Sequence, residues 1–174
     1  GGFTSSFDFR MTGDGDGLAF VVQDDSVTAV GLGGGFLGYG GGIPRSLAVE
    51  CDITFNPGWD PNDNHIAVHS AGTATNVADG SSPSLTVNQT ASSLASDLND
   101  GSVHTLTVVY DALAAPHHMT VSLDSTTVLS FDVDLAAELN LAPDGTAWVG
   151  FTAGTGSLAA ALDIVSWSFC PVAA

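Results

Sequence analysis

The chain has no lysine and only two arginines, Arg10 and Arg45, set against 17 aspartates and two glutamates, for a formal net charge of −17. A surface without basic patches excludes nucleic acid and anionic membranes as partners, because both are held by clustered Lys and Arg. No apolar run approaches the ~20 residues that a membrane-spanning helix needs, and no leader-like segment opens the chain. No membrane insertion is therefore expected. Cysteine is scarce too, and Cys51 and Cys170 alone leave the redox compartment open. Helical periodicity is confined to Leu135–Leu139, enough for a single turn.

What is present points to strands. With 174 residues and 44% hydrophobic content, the chain is expected to form one domain over 1–174 with a real core. Strand signals fall at Phe7–Met11, Leu18–Gln23, Leu47–Phe55, Ile66–His69, Ser84–Val87, Val103–Tyr110, His118–Leu123, Thr127–Val133, Ala147–Thr152 and Ala160–Phe169. Gly, Asp, Asn, Pro and Ser clusters separate them, with turns at Asp124-Ser125 and Pro143-Asp144-Gly145. This pattern predicts an all-β, antiparallel sandwich. Strand parity turns Cys51 inward; if Trp167 and Phe169 are core, Cys170 faces outward, which argues against a bond between the two cysteines. Asn88-Gln89-Thr90 is a glycosylation sequon, meaningful in a eukaryotic secretory host.

The segment Glu50–His65, ECDITFNPGWDPNDNH, crowds carboxylates, side-chain amides and a histidine together. Carboxylates a few ångströms apart do not all stay ionised without a cation, and this chain has almost no cations of its own. Alternation along the strand places Glu50, Asp52 and Thr54 on one face and Cys51, Ile53 and Phe55 on the other. The loop after Asn56 can then fold Asp60 and His65 back over the first set. Oxygen-rich ligands with one imidazole suit Ca²⁺, or Mn²⁺ or a similar ion where His65 joins. His69, His104, His117 and His118 have no such context and are expected to be structural.

Glu50 and Asp52 could also serve as a glycosidase pair. Family-16-type glycosidases use a strand motif ExDxxE, but the third acid is replaced here by Phe55, so no enzyme is expected. The segment instead resembles the metal-binding stretch of L-type, legume-lectin-like lectins. Three further segments resemble that family in its own order: SFDFRM with GDGDGLAFVVQ (Ser6–Gln23), GLGGGFLGYGG (Gly31–Gly41) and AWVGFTAGTGSLAAALDIVSWSF (Ala147–Phe169).

The resemblance implies a concanavalin A-like, jelly-roll sandwich that binds glycan or polysaccharide in a calcium-dependent, non-catalytic way. It implies that Asp16 accepts hydrogen bonds from sugar hydroxyls, Asp14 being the competing turn aspartate, and that the peptide at Asp16 is cis. Gly35 offers its backbone N–H to the sugar, Asn56 serves both metal and sugar, and Ser157 and Leu158 stand in the loop that sets specificity. One ion falls to Asp52, the Thr54 carbonyl, Asn56 and Asp60, and a second to Glu50, Asp52, Asp60 and His65. The family usually carries an aromatic platform two positions before the asparagine, where this chain has Thr54; its loss removes about 1–2 kcal/mol. Trp59 and Tyr39 are the replacement platforms to consider. The family's early strands are absent, so Ile164–Phe169 is expected to lie at an edge and to promote self-association. The alternative to a sugar-binding domain is therefore a structural or adhesive self-assembling module. Either belongs in a secreted or surface protein, at an extracellular location.

Overall fold

A computed structural model describes residues 1–143 and 146–172. The elements run β1 (Phe3–Gly13), β2 (Gly17–Gln23), a 3₁₀ turn (Gly34–Phe36), β3 (Ser46–Asp52), β4 (His65–Ser70), β5 (Val87–Ala91), β6 (His104–Asp111), β7 (His118–Leu123), β8 (Thr126–Asp132), α1 (Leu135–Glu138), β9 (Trp148–Gly154) and β10 (Ala160–Pro171). Two antiparallel sheets form, ordered β10-β1-β6-β7-β8 and β5-β4-β3-β2-β9. The predicted all-β sandwich is thus the fold. Among the described residues no helix is long and apolar enough to cross a membrane.

The core follows from alternation. Phe3, Phe7, Phe9 and Met11 of β1 face Leu18, Phe20 and Val22 of β2 and Leu47, Val49 and Cys51 of β3 between the sheets. Phe7 meets Phe20 and Phe151 with ring centroids 6.2 and 4.9 Å apart. β2 and β3 are buried at every position, not at alternate ones. Their outer face is covered by the glycine-rich segment after β2, where Leu37, Tyr39 and Ile43 pack with Ala78 on Ala19, Val21 and Ala48. A strand buried on both faces reads as a continuous apolar run, which is why GLAFVV and SLAV show little alternation in sequence.

Two strand predictions need correction. β3 stops at Asp52 rather than running to Phe55. Asp52 Oδ1 accepts the Thr54 N–H at 2.8 Å, a local turn that replaces the ladder, and Pro57 lacks a donor. Thr54, Phe55 and Asn56 therefore belong to the loop, and Phe55 is exposed. The strand expected at Ser84–Val87 lies at Val87–Ala91, where polar Asn88, Gln89 and Thr90 pair with β4 as an exposed edge. The Asp124-Ser125 turn forms with φ of 48° and 68°, a two-residue hairpin joining β7 and β8. The single helical turn forms at α1, capped by Asp134, whose side chain accepts the Ala137 N–H at 3.0 Å. Of the expected Pro143-Asp144-Gly145 turn, Asp144 and Gly145 lie outside the described residues. Cys51 is buried and Cys170 exposed, and both thiols are free.

Candidate metal and ligand site

Register assembles the site on the outer face of β2, β3 and β4. Gly17, Asp52 and His65 form one row across the strands, Ala19, Glu50 and Ala67 the next, and Val21, Ala48 and His69 a third. The small side chains flanking Glu50 leave room above the sheet for its carboxylate. The loop after β3 adds Asp60. It is tied by the Trp59 and Asp60 N–H groups, which donate to the Asn56 carbonyl at 3.0 and 3.2 Å, and by Asp60 Oδ2, which accepts the Asn56 N–H at 2.7 Å.

Asp52, Asp60 and His65 each bring a ligand atom to within 4.8 Å of the others. His65 Nδ1 lies 3.1 Å from the Asn62 carbonyl. A carbonyl only accepts, so Nδ1 carries a proton, and Nε2 is turned toward Glu50 Oε1 at 3.6 Å. Glu50, Asp52 and His65 are almost fully buried. Burial, then the neighbouring Glu50, pushes the Asp52 carboxyl up to about 8. Burial raises Asp60 as well. Burial also works to raise Glu50, but His69, His65 and the Tyr39 hydroxyl outweigh it and hold Glu50 below its usual range. Burial works to lower His65, and the surrounding carboxylates outweigh it and raise it. Without a cation, burial favours the protonated forms of Asp52 and Asp60, whereas Glu50 is held toward its carboxylate form.

Two buried oxygens beside this cluster have no hydrogen-bond partner, Glu50 Oε1 and Asn56 Oδ1. An unpaired buried acceptor costs about 1–3 kcal/mol, so both positions fit a hard cation or a hydrogen-bond donor better than they fit emptiness. The donor set is carboxylate, amide oxygen and one imidazole, which suits Ca²⁺ and Mn²⁺.

Three further segments converge beside the cluster. Asp16 is buried and raised by that burial, and its carbonyl accepts the Ile53 N–H at 2.9 Å, whereas Asp14 is exposed. A Cβ at Gly156 would stand 2.6 Å from Asp16 Oδ2, and one at Gly35 would stand 2.8 Å from Asn56 Oδ1. A Cβ at either position would push the Asp16 carboxylate or the Asn56 amide aside, and at Gly156 a φ of 56° further favours glycine. Asp16, Gly35 and Asn56 are thus brought together, while Ser157 and Leu158 stand exposed on the turn closed by the Leu158 N–H to the Thr155 carbonyl at 3.2 Å. Thr54 lies half-buried with its hydroxyl 3.3 Å from the Gly15 carbonyl. The expected cis peptide is not at Asp16; the cis bond among the described residues is Ala115–Pro116.

The legume lectin domain profile matches residues 1–172. The chain belongs to the legume lectin family. Among curated relatives, this legume lectin chain is 30% identical to the L-type lectin-domain containing receptor kinase VIII.1 of Arabidopsis thaliana, over 96% of the chain and 23% of the relative. It is 26% identical to Agglutinin-2 of Cladrastis kentukea, over 96% of the chain and 57% of the relative. The chain thus spans less than two thirds of either relative. Among solved structures, lectin II from Ulex europaeus is 28% identical, with a TM-score of 0.71 over 97% of this chain and 72% of that one. The lectin UEA-II complexed with galactose is 26% identical, with a TM-score of 0.69 over 97% of this chain and 71% of that one.

Two residues of this candidate site were not legible as such in sequence. Tyr39, considered with Trp59 as a replacement platform, is instead fully buried and donates its hydroxyl to Glu50 Oε2 at 2.5 Å. His69, expected to be structural, is buried with Nδ1 3.1 Å from that hydroxyl and 3.6 Å from Glu50 Oε1. The signal available for His69 was its spacing of four from His65 on a strand, which puts both on one face. Trp59 is half-buried, edge-on to Phe36 at 5.2 Å.

Proposed function

We propose that residues 1–174 act as a single calcium-dependent, non-catalytic carbohydrate-binding domain. The observation that carries this reading is the pair of buried, unpartnered oxygens, Glu50 Oε1 and Asn56 Oδ1, next to the convergent Asp52, Asp60 and His65. A Ca²⁺ ion would be held by Asp52, Asp60, Asn56 and the Thr54 carbonyl, and a Mn²⁺-like ion by Glu50, Asp52, Asp60 and His65. The ions neutralise the carboxylates and fix the Asn56 loop. Asp16 then accepts sugar hydroxyls, and Asn56 and Gly35 donate to them, with Ser157 and Leu158 at the rim. The galactose complex of UEA-II supports a hydroxyl-rich ligand of this class. Relation to plant agglutinins and to a receptor kinase supports a secreted or surface protein. A glycan array run with and without EDTA tests the reading: EDTA-sensitive binding is expected, and EDTA-independent binding or none at all would sink it.

One observation favours a second, assembling role. β10 pairs with β1 alone among the described residues, and Ile164, Val165 and Trp167 on it are 36%, 55% and 44% exposed. A long apolar edge invites strand addition from a second copy. Sedimentation in Ca²⁺ is expected to reveal a species larger than the 17.5 kDa monomer; a monodisperse monomer excludes this role.

A further inference from the structure

Deepening the metal reading on which it rests, we infer that Tyr39 and His69 are positioning residues of the metal centre, holding Glu50 by one oxygen so that the other stays free for a cation. All three residues are at least 99% buried. Tyr39 comes from the glycine-rich segment after β2, His69 from β4 and Glu50 from β3, so the network ties three stretches of chain together.

A proton inventory fixes its direction. Tyr39 has a single O–H to give, and the carboxylate oxygen Glu50 Oε2 at 2.5 Å takes it. The phenol oxygen is then an acceptor toward His69 Nδ1 at 3.1 Å, so Nδ1 must carry a hydrogen. The chain of donors runs from His69 to Tyr39 to Glu50 and ends on Oε2. Glu50 Oε1 receives nothing, although it is buried and lies 3.6 Å from both His65 Nε2 and His69 Nδ1. A carboxylate pinned at one oxygen by a fully buried phenol cannot turn about its own axis to satisfy the other. Its free oxygen is thereby kept on the side of His65, the histidine that shares the cluster with Asp52 and Asp60. Partners of this kind, which touch a ligand and not the ion, set metal affinity through orientation.

The test is Mn²⁺ titration of the intact chain at fixed pH, followed by calorimetry and by electron paramagnetic resonance. Tyr39→Phe keeps the ring and removes the hydroxyl, and His69→Ala removes the donor; each is expected to weaken Mn²⁺ binding about 10–100-fold. His69→Asn, whose amide N–H overlays the imidazole Nδ1–H, is expected to restore binding close to wild type. At saturating Mn²⁺ the Tyr39→Phe spectrum is expected to differ from wild type, because Glu50 is no longer pinned. Wild-type affinity and an unchanged bound-Mn²⁺ spectrum in Tyr39→Phe and His69→Ala, with only the metal-free melting temperature lowered, would reduce both residues to loop anchors and overturn the inference. Should the wild-type chain bind neither Mn²⁺ nor Ca²⁺, the metal reading itself fails and this inference with it.

Discussion

The molecule carries two concentrations of histidine and aspartate, one on each sheet, and they differ in how their hydrogen bonds end. On the β6–β8 sheet every such histidine is paired. His104 Nδ1 and Nε2 reach Asp124 at 2.8 Å and Asp100 at 3.2 Å, and His118 reaches Asp132 at 2.7 Å and Ser130 at 2.8 Å. Those carboxylates are partly or largely exposed, so water completes their shells. On the β2–β4 face the carboxylates are buried together, and Glu50 Oε1 and Asn56 Oδ1 end on nothing. Residue types alone do not separate the two regions. What separates them is that unspent acceptors lie beside buried carboxylates on the β2–β4 face, whereas the histidine–aspartate pairs of the other sheet are closed.

Metal removal is the strongest way to break this contrast. At a free cation concentration about 100 times Kd, linkage contributes about 2.7 kcal/mol, which for a chain of this size is roughly 5–11 °C in Tm. Scanning calorimetry of loaded protein with and without excess EDTA reads it, and superimposed curves would show that the β2–β4 cluster is as closed as the surface pairs. The same cluster sets a pH response. With Asp52 raised to about 8, the metal-free folded state holds a proton that the unfolded chain releases near 4, so stability falls as pH rises between those values. Loaded protein is expected to lose this slope, and an identical slope in both forms would contradict the assignment.

Substitutions sharpen the comparison within the site. Asn56→Ala and Asp16→Ala are each expected to reduce sugar binding at least tenfold, the loss of about one charge-assisted hydrogen bond or more. Only Asn56→Ala is expected to weaken the metal, and equal metal affinity in the two variants would remove Asn56 from the coordination set.

The paired region responds less. His104 is buried, which acts to lower it, but Asp124 and Asp100 outweigh this and raise it, while both aspartates are lowered. The raised His104 stabilises below about 6.5 and that gain is lost as pH rises through its folded value; the lowered aspartates stabilise above about 4 and lose their gain as pH falls. His104→Asn is expected to flatten the Tm profile on the alkaline side, by about 1 kcal/mol or less for the His104–Asp124 pair. Smallest of all, His118→Ala is expected to change stability by about 0.5 kcal/mol at most and metal affinity not at all, as titration calorimetry would report.

Strand identity and sheet class were legible because β1, β6 and β7 alternate between mostly apolar buried positions and mostly polar outward ones. Parity alone placed Glu50 and Asp52 on one face, and the loop sequence supplied Asp60 and His65. The end of β3 was less legible, because the side chain of Asp52 competes with the ladder for the Thr54 N–H, and apolar Ile53 and Phe55 disguise the stop. β5 was misplaced because an exposed edge strand needs few apolar residues. Tyr39 and His69 were hidden for a different reason. Their roles arise from a contact between the glycine-rich segment and β4, 30 residues apart in sequence, and no local pattern encodes that meeting.

The position of β1 has a consequence for how the chain comes to be folded during synthesis. β1 lies between β6 and β10, with Phe3 opposite both Tyr110 and Pro171. Its first neighbour is made only after the second sheet is largely complete in sequence, and its other neighbour is the final strand described. At ribosomal speeds of about 5–20 residues per second, β1 waits roughly 10 s or more for that last partner. Phe3, Phe7, Phe9 and Met11 must be sheltered through that interval by the ribosome, by a chaperone or by transient collapse. Closure of the sandwich is therefore a late, long-range event, and a nascent chain halted before β10 leaves β1, paired with β6 on one side only, as an open apolar edge of its sheet.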